Sequence, residues 1–402
     1  MVKNSILGTN VSNMVEMNRS LIVKVLKQKK ICSRVELSKI TGLTQASITK
    51  IIAALIELGI VSEIGLMESQ RGRHSIGLQL NGGLYQVIGV KLSRKSFSVG
   101  VFDICGNEYT QMTETINNEN CENVLDRIKA RIQDYLNKYN NVVAIGMAVP
   151  GPYLKEEGQI AFITEFPRWK KVNFKDEFEG SFDKPIFLEH DANSGALAEW
   201  WFGNHNPNVN VLVHLLASEG IGAGIISDGN LIIGSQGIAG EIGHISVDVN
   251  GEKCDCGNYG CLEKYCSAIS MVKRANKLLQ NYPDSKLNMY KEINYFDIFN
   301  EFERGDFFAK ELVEYASRYI GYGIVTIINA YNPELIVISD VMTRGGKFLI
   351  DTVKKVVKDR VIPELYEKLD IKLSSFSIDP ILYGAAALAT DRVLKLPSAF
   401  FK

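Results

Sequence analysis

No stretch of this 402-residue sequence approaches the roughly 18–20 consecutive apolar residues needed to cross a membrane, and the first residues hold no apolar segment of a secretory leader. Membrane spans and export are set aside, and a cytoplasmic location is expected. A disulfide scaffold is missing too. The seven cysteines (Cys32, Cys105, Cys121, Cys254, Cys256, Cys261 and Cys266) are odd in number and lack a secretory context, so they read as reduced thiols. Nor is there a strong overall charge, the formal net being −1. That balance hides an asymmetry. Residues 1–80 hold eleven Lys and Arg against five Asp and Glu, while the remainder holds seven more acids than bases. A small basic head on a larger acidic body points to a head that meets a polyanion, chance clustering being the plainer account. The length accommodates two or three domains of ordinary globular composition.

The head reads as three helices and a hairpin. Met14, Met17, Leu21, Ile22, Val25 and Leu26 recur at helical spacing over residues 14–27. Ser33, with Glu36 three positions on, forms a capping box for a helix over 34–41 that Gly42 stops. Thr44 N-caps a third helix over 45–58, whose Ile48, Ile51, Ile52, Leu55 and Leu58 make one buried stripe. Strands are expected over 60–64 and 76–80, with Gln70-Arg71-Gly72-Arg73-His74 at the tip between them.

These elements make a winged helix-turn-helix over residues 1–82. Its third helix is expected to enter the major groove of double-stranded DNA by its N-terminal end. Thr44, Gln45, Ser47, Thr49 and Lys50 are the candidate groove residues, with Gln45 and Ser47 suited to base edges and Lys50 to a phosphate. Arg71 and Arg73 suit backbone or minor-groove contact at the wing tip. A winged helix used for protein contact is the alternative; the basic excess and the arginine tip favour DNA.

The body, residues 83–402, alternates strands and helices. Strands over 87–90, 97–102 and 108–113, a helix over 122–139 and an apolar strand over 142–149, ended by Pro150-Gly151-Pro152, imply a mixed sheet covered by helices. A strand at 185–189 runs into His190-Asp191-Ala192-Asn193 and a helix to residue 202. Strands at 209–216 and from 220, helices over 267–280 and 307–330, a buried strand at 335–339, a helix over 347–361, a strand near 371–377 and a last helix from 384 follow. The order seen after residue 85 recurs after residue 205. It predicts two related α/β lobes, about 83–200 and 201–402, with a ligand cleft between them.

Residues 241–263 concentrate the chemistry. His244, Cys254, Cys256 and Cys261 bring an imidazole and three thiols within 18 residues, a set suited to a closed, structural Zn2+ site. Gly251, Gly257 and Gly260 let the loop over 244–261 turn sharply enough to aim them at one point. Glu241 and Glu263 flank the ligands; ordinary solvated glutamates are the plainer reading.

Five stretches carry a resemblance: Gly146-Met147-Ala148-Val149-Pro150-Gly151-Pro152, His190-Asp191-Ala192-Asn193, Gly220-Ile221-Gly222-Ala223-Gly224, Ala239-Gly240-Glu241-Ile242-Gly243-His244, and Cys254-Asp255-Cys256-Gly257-Asn258-Tyr259-Gly260-Cys261-Leu262-Glu263. The body resembles the ROK family, which holds sugar kinases of the actin-like/ribonuclease-H-like fold and sugar-responsive repressors. With the head included, the resemblance covers almost the whole chain and is to the xylose-repressor and N-acetylglucosamine-repressor branch. It implies a two-lobed sugar-kinase fold behind an N-terminal winged helix-turn-helix domain. It further implies that His244, Cys254, Cys256 and Cys261 bind zinc, that Asp191 stands at the position of the kinase general base, and that Glu241, His244 and Glu263 hydrogen-bond sugar hydroxyls. His190 stands where the family usually has Asn, so a sugar site of His190, Asp191, Glu241, His244 and Glu263 is expected with altered selectivity.

The nucleotide half departs further from the family pattern. Lys91 occupies the acidic position of the phosphate loop, and Ser93-Arg94 replace its glycines. A lysine cannot hold Mg²⁺, and side chains there obstruct backbone approach to phosphate. Ser339-Asp340-Val341 replaces the paired glycines expected near an adenosine. The expectation is a homodimeric sugar-responsive repressor of carbohydrate-metabolism genes, including xylose metabolism, with no enzymatic activity and a small sugar effector. An ATP-dependent sugar kinase with a DNA-binding extension is the first alternative. A regulator controlled by a partner protein is the second.

Overall fold

The computed structural model describes residues 11–67, 75–116, 119–161, 167–376 and 379–401. The chain opens with α1 (Val11–Lys29), the two-residue β1 (Cys32–Ser33), α2 (Arg34–Thr41), α3 (Gln45–Glu57), β2 (Val61–Met67) and β3 (Ser75–Leu80). Local chemistry sets these boundaries. Ser33 Oγ accepts from the Glu36 amide at 3.3 Å while Glu36 accepts from the Ser33 amide at 2.8 Å, so two orphan donors at the start of α2 are satisfied reciprocally. Gly42, at φ +71°, closes the same helix. Thr44 accepts from the Ser47 amide and begins α3, whose Ile48, Ile51, Ile52 and Leu55 are buried. β1, β3 and β2 pair antiparallel in that order, with Cys32 opposite Leu78 and Val61 opposite Leu80. The first wing strand reaches Met67, beyond the apolar run that marked it in the sequence; the expected tip residues Arg71 and Arg73 lie outside the described residues.

The body continues with β4 (Gln86–Leu92), β5 (Ser96–Asp103), β6 (Glu108–Thr115), α4 (Cys121–Lys138), β7 (Val142–Val149), a small hairpin of β8 (Tyr153–Leu154) and β9 (Gln159–Ile160), α5 (Phe174–Phe178), β10 (Ile186–His190) and α6 (Asp191–Phe202). Then come β11 (Val211–Ala217), β12 (Ile221–Ser227), β13 (Asn230–Leu231), α7 (Glu263–Cys266), α8 (Ala268–Leu278), α9 (Tyr295–Glu303) and α10 (Phe307–Tyr331). β14 (Leu335–Ser339), α11 (Gly346–Lys358), α12 (Pro363–Tyr366), β15 (Asp370–Leu373), α13 (Pro380–Lys395) and α14 (Pro397–Phe400) complete it.

The described residues gather into two compact units. One draws on Met1–Met147, Glu177–Leu188 and Ala385–Lys402; the other on Ala148–Asp176 and Glu189–Gly384. In the first, the head is tied to the body through Tyr85. Its hydroxyl donates to Leu58 O at 2.9 Å, and its ring meets Phe401 edge-on at 4.5 Å.

Two five-stranded sheets have the orders β10-β7-β4-β5-β6 and β15-β14-β11-β12-β13. Three consecutive antiparallel strands stand on one side of each, and the two later strands on the other. The repeated order is the recurrence legible in the sequence, and the α/β fold class stands as expected. In the second unit β11 pairs parallel with β14, Val213 opposite Ile336, and α10 packs Leu312, Val313, Ala316, Ile320 and Ile324 into one core with Ile336, Ile338 and Val353. The helix α9 was absent from the sequence reading although Asn294 and Asp297 form its capping box. The last helix begins at Pro380 instead of residue 384.

The placement of α6 decides where the site stands. Every residue from Ala192 to Trp201 is buried. A Cβ added to Gly195 would lie 2.1 Å from His214 Cε1, and one on Gly224 would lie 2.4 Å from Ala192 O. Only glycines let the helix approach β11 and β12 so closely. Burial lowers the His214 pKa to about 4, so its ring is neutral at ordinary pH. Nδ1–H donates to Ala192 O at 3.2 Å and Nε2 accepts from the Ser339 hydroxyl at 2.7 Å, pinning the first turn of α6 to β14.

Candidate functional site

All the residues expected at the sugar and metal sites belong to the second unit. The ligand atoms of His244, Cys254, Cys256 and Cys261 lie within 4.8 Å of one another. Cys254 Sγ is 3.8 Å from His244 Nδ1, and Cys256 Sγ is 3.6 Å from Cys261 Sγ. Bond lengths of ~2.0–2.3 Å to a tetrahedral zinc imply ligand separations of roughly 3.3–3.8 Å, so the set fits such an ion. The Cys256–Cys261 separation far exceeds a ~2.05 Å disulfide bond, and the thiols are free. Burial first, with the Cys256 side chain and then Glu263 adding to it, drives the Cys254 and Cys261 thiols above their ordinary range. A cation among them is what would hold them as thiolates.

The loop geometry needs particular glycines. Gly260, at φ +60°, brings its Cα so close to Asp248 that an added Cβ would lie 1.7 Å from Asp248 O. The Gly260 amide donates to Glu252 O and the Val247 amide to Gly260 O, folding the loop back on itself. The cluster thus forms from the fold-back, and Leu262 and α7 carry the chain onward from it.

The carboxylates stand beside this cluster. Glu263 Oε1 is 3.4 Å from Cys254 Sγ and 3.7 Å from His244 Nδ1. Glu241 Oε2 is 3.9 Å from His244 Nε2, so the imidazole has Nδ1 toward the thiols and Nε2 toward Glu241. Across from Glu241, His190 Nδ1 is 4.0 Å from Glu241 Oε1, and His190 Nε2 is 2.9 Å from Asp191 Oδ1. Asp191 heads α6, where Oδ1 also accepts from the Ala192 amide at 2.7 Å. His190, Asp191, Glu241, His244 and Glu263 therefore form one continuous group.

Exposure separates them. The His190 side chain is 8 % exposed, against 21 % for Asp191, 22 % for Glu241, 16 % for His244 and 14 % for Glu263. His190 lies beneath a layer whose other members still reach solvent. Burial opposes its charge, but Asp191, then Glu241 and Glu189, outweigh that and raise its pKa to about 9. Burial also raises the Glu241 carboxyl, against the pull of His190 and His244. Glu241 Oε1 is buried without a hydrogen-bond partner among the described residues.

Sequence reading missed what lies under this layer. Glu189 Oε1 accepts from the His190 amide and from Asn193 Nδ2, each at 3.1 Å, and Glu189 Oε2 meets Lys155 Nζ at 3.1 Å. A Cβ on Gly151 would strike the His190 ring at 2.1 Å. Glu189 ends an apolar strand, and an acid in that setting was the available signal.

The DNA-reading candidates also have places. Thr44, Gln45, Thr49 and Lys50 are exposed and Ser47 is half-buried at the N-terminal end of α3. Thr44 and Ser47 are partly engaged in capping, their hydroxyls 3.0 Å apart, and the Thr49 hydroxyl donates to Gln45 O.

A winged head, two sheets of like order and a Cys₃His loop beside carboxylates define a sugar-kinase-like body carrying a DNA-binding fold. The chain belongs to the ROK family, whose profile matches residues 87–392. It is 27% identical over 390 residues to the xylose repressor of Caldicellulosiruptor bescii, covering 95% of this chain and 97% of that one. It is 30% identical over 394 residues to the DNA-binding transcriptional dual regulator NagC of Escherichia coli, covering 96% and 95%. Among solved structures, a ROK family transcriptional regulator, homolog of the E. coli MLC protein, superposes with a TM-score of 0.79 at 29% identity over 95% of this chain and 97% of that one. A ROK family glucokinase from Streptomyces griseus shares the fold at a TM-score of 0.67 and 24% identity, covering 76% of this chain and 99% of its own.

Proposed function

We propose that this protein is a cytoplasmic, homodimeric transcriptional repressor of carbohydrate-metabolism genes, whose winged head (residues 1–82) binds operator DNA and whose body (83–402) binds a small sugar. One observation carries the reading: similarity to named repressors runs through head and body alike, whereas the glucokinase accounts for 76% of the chain. Gln45, Ser47 and Lys50 would read the major groove, with Thr44 and Thr49 beside them and Arg71 and Arg73 on the wing. A single small head supplies few contacts, so paired heads on half-sites are expected.

In the body, Asp191, Glu241, His244 and Glu263 supply acceptors and donors for sugar hydroxyls. Zinc held by His244, Cys254, Cys256 and Cys261 would act structurally, since four protein ligands leave no position for chemistry. Its consequence for this chain is rigidity: His244 is fixed in tautomer and Glu263 is held two residues from a ligand.

The same reading makes the body inactive as a kinase. Lys91 lies within β4, and the Ser93 amide and hydroxyl both bond to Ser96 O, at 2.9 and 2.8 Å, in place of a glycine turn. At the end of β14, Asp340 adopts φ +69°, a conformation that favours glycine, and its carboxylate accepts from the Ser218 hydroxyl at 3.0 Å and the Val341 amide at 2.6 Å. The family resemblance puts paired glycines near adenosine at this point, so the Asp340 side chain speaks against nucleotide binding. Incubation with ATP, Mg²⁺ and D-glucose, D-xylose or N-acetyl-D-glucosamine tests this point. No ADP release is expected, and turnover that Asp191→Asn removes would restore the kinase reading.

A further inference from the structure

We infer that His190 is a positioning residue: a buried ring, ion-paired with Asp191, that spans Asp191 and Glu241 and holds their carboxyl groups in place to meet the hydroxyls of the effector. The inference rests on the sugar-binding reading above and goes beyond it. It assigns the residue that replaces the family's usual Asn to a task other than contacting sugar.

The geometry carries it. Nε2 of His190 stands 2.9 Å from Asp191 Oδ1, and Nδ1 stands 4.0 Å from Glu241 Oε1. One ring therefore spans two carboxylates from different elements, the start of α6 and the turn before His244. The ring cannot drift. A Cβ on Gly151 would strike its Nε2 and Cδ2 at 2.1 Å, and Gly222 on β12 lies behind Cε1. The Ser194 hydroxyl and the Asn193 amide tie the surrounding backbone and Glu189 in place.

Charge explains why a cation belongs there. The acids facing the ring are Asp191 on α6, Glu241 on its loop and Glu189 on β10. Glu241 also feels Asp191 and Glu263 as repelling neighbours. Without a positive group between them, Asp191 and Glu241 would repel and neither would be held at one orientation. An asparagine is neutral and cannot supply that charge. The imidazolium also takes up Asp191 Oδ1, so the carboxylate at the former base position is an ion-pair acceptor instead of a proton acceptor.

The ligand class follows. A fixed pair of carboxyl groups calls for hydroxyl partners, so the effector presents at least two free hydroxyls to the pair. Sugars blocked by methylation or fluorination at those positions bind worse than the parent. His190 near a pKa of about 9 makes affinity level below that value and falling above it.

The experiment is calorimetric titration of the full chain with D-xylose, D-glucose and N-acetyl-D-glucosamine, then with singly fluorinated analogues of the sugar that binds, from pH 6 to 10. Wild type is expected to lose about tenfold in affinity for each pH unit above the His190 pKa. His190→Asn is expected to flatten that profile while still melting cooperatively, and His190→Lys to restore affinity in part. A profile unchanged by His190→Asn overturns the inference even when sugar binds. Binding of no sugar at all overturns both the inference and the sugar-binding reading. Should His190→Asn fail to fold, the wild-type profile alone decides: level affinity through pH 10 overturns it.

Discussion

His190 Nε2 lies 2.9 Å from Asp191 Oδ1, within a stretch the ROK family usually fills with Asn-Asp. A residue pair adjacent in sequence is thus an ion pair at the head of a buried helix, with the imidazole below and the carboxylate at the surface of the site.

Stability should carry the mark of the pair. His190 has its pKa raised from 6.5 to about 9, so its contribution is complete below pH ~6.5 and is lost as pH rises through about 9. The denaturation midpoint is expected to fall between pH 6.5 and 9, and less so in Asp191→Asn. Chemical denaturation at a series of pH values checks this; an equal fall in both proteins would assign it elsewhere.

The metal loop makes a stoichiometric prediction. Elemental analysis of pure protein should find about one zinc per chain. Cys254→Ser or Cys261→Ser should reduce that toward zero and lower the melting temperature, because the buried cluster loses its cross-link. Protein purified without any zinc and equally stable would reject the site.

Two glycines of that loop should differ. Gly260→Ala places a Cβ against Asp248 O at φ +60° and is expected to cost well over ~1 kcal/mol and weaken zinc retention. Gly257→Ala, at φ +96° with nothing within 4 Å among the described residues, meets conformational strain alone and should cost about 1 kcal/mol. Melting temperatures of the two variants give the comparison.

In the head, Gln45→Ala should relax base preference at one operator position at a cost of ~1–3 kcal/mol. Lys50→Ala should weaken all DNA alike and lower the slope of log affinity against log salt by about 1. Fluorescence anisotropy with DNA selected by the protein itself separates the two effects.

The head was the most legible part of the sequence. Ser33, Glu36, Gly42 and Thr44 act on neighbours within four residues, so their capping roles are written locally and α2 begins and ends where they place it. The Cys₃His loop was legible for the same reason. The carboxylate layer came through family resemblance, because Asp191 and Glu241 are fifty residues apart and no local pattern joins them. What escaped was the support beneath it. Glu189, Lys155 and Gly151 matter through packing of β10 and α6 against a distant loop, and such contacts leave no periodic trace. The helix α9 escaped because its aromatic-rich Tyr295–Glu303 lacks a long apolar repeat, although Asn294 capped it in plain view.

The most direct test of the central claim is operator affinity with and without sugar. DNA fragments selected by the full chain should bind tightly, and at least one of D-xylose, D-glucose and N-acetyl-D-glucosamine should lower that affinity by about tenfold or more, a coupling of ~1.4 kcal/mol. Asp191→Asn should still bind the DNA but no longer respond. Operator affinity unmoved by every sugar, or identical in wild type and Asp191→Asn with sugar present, would contradict the account.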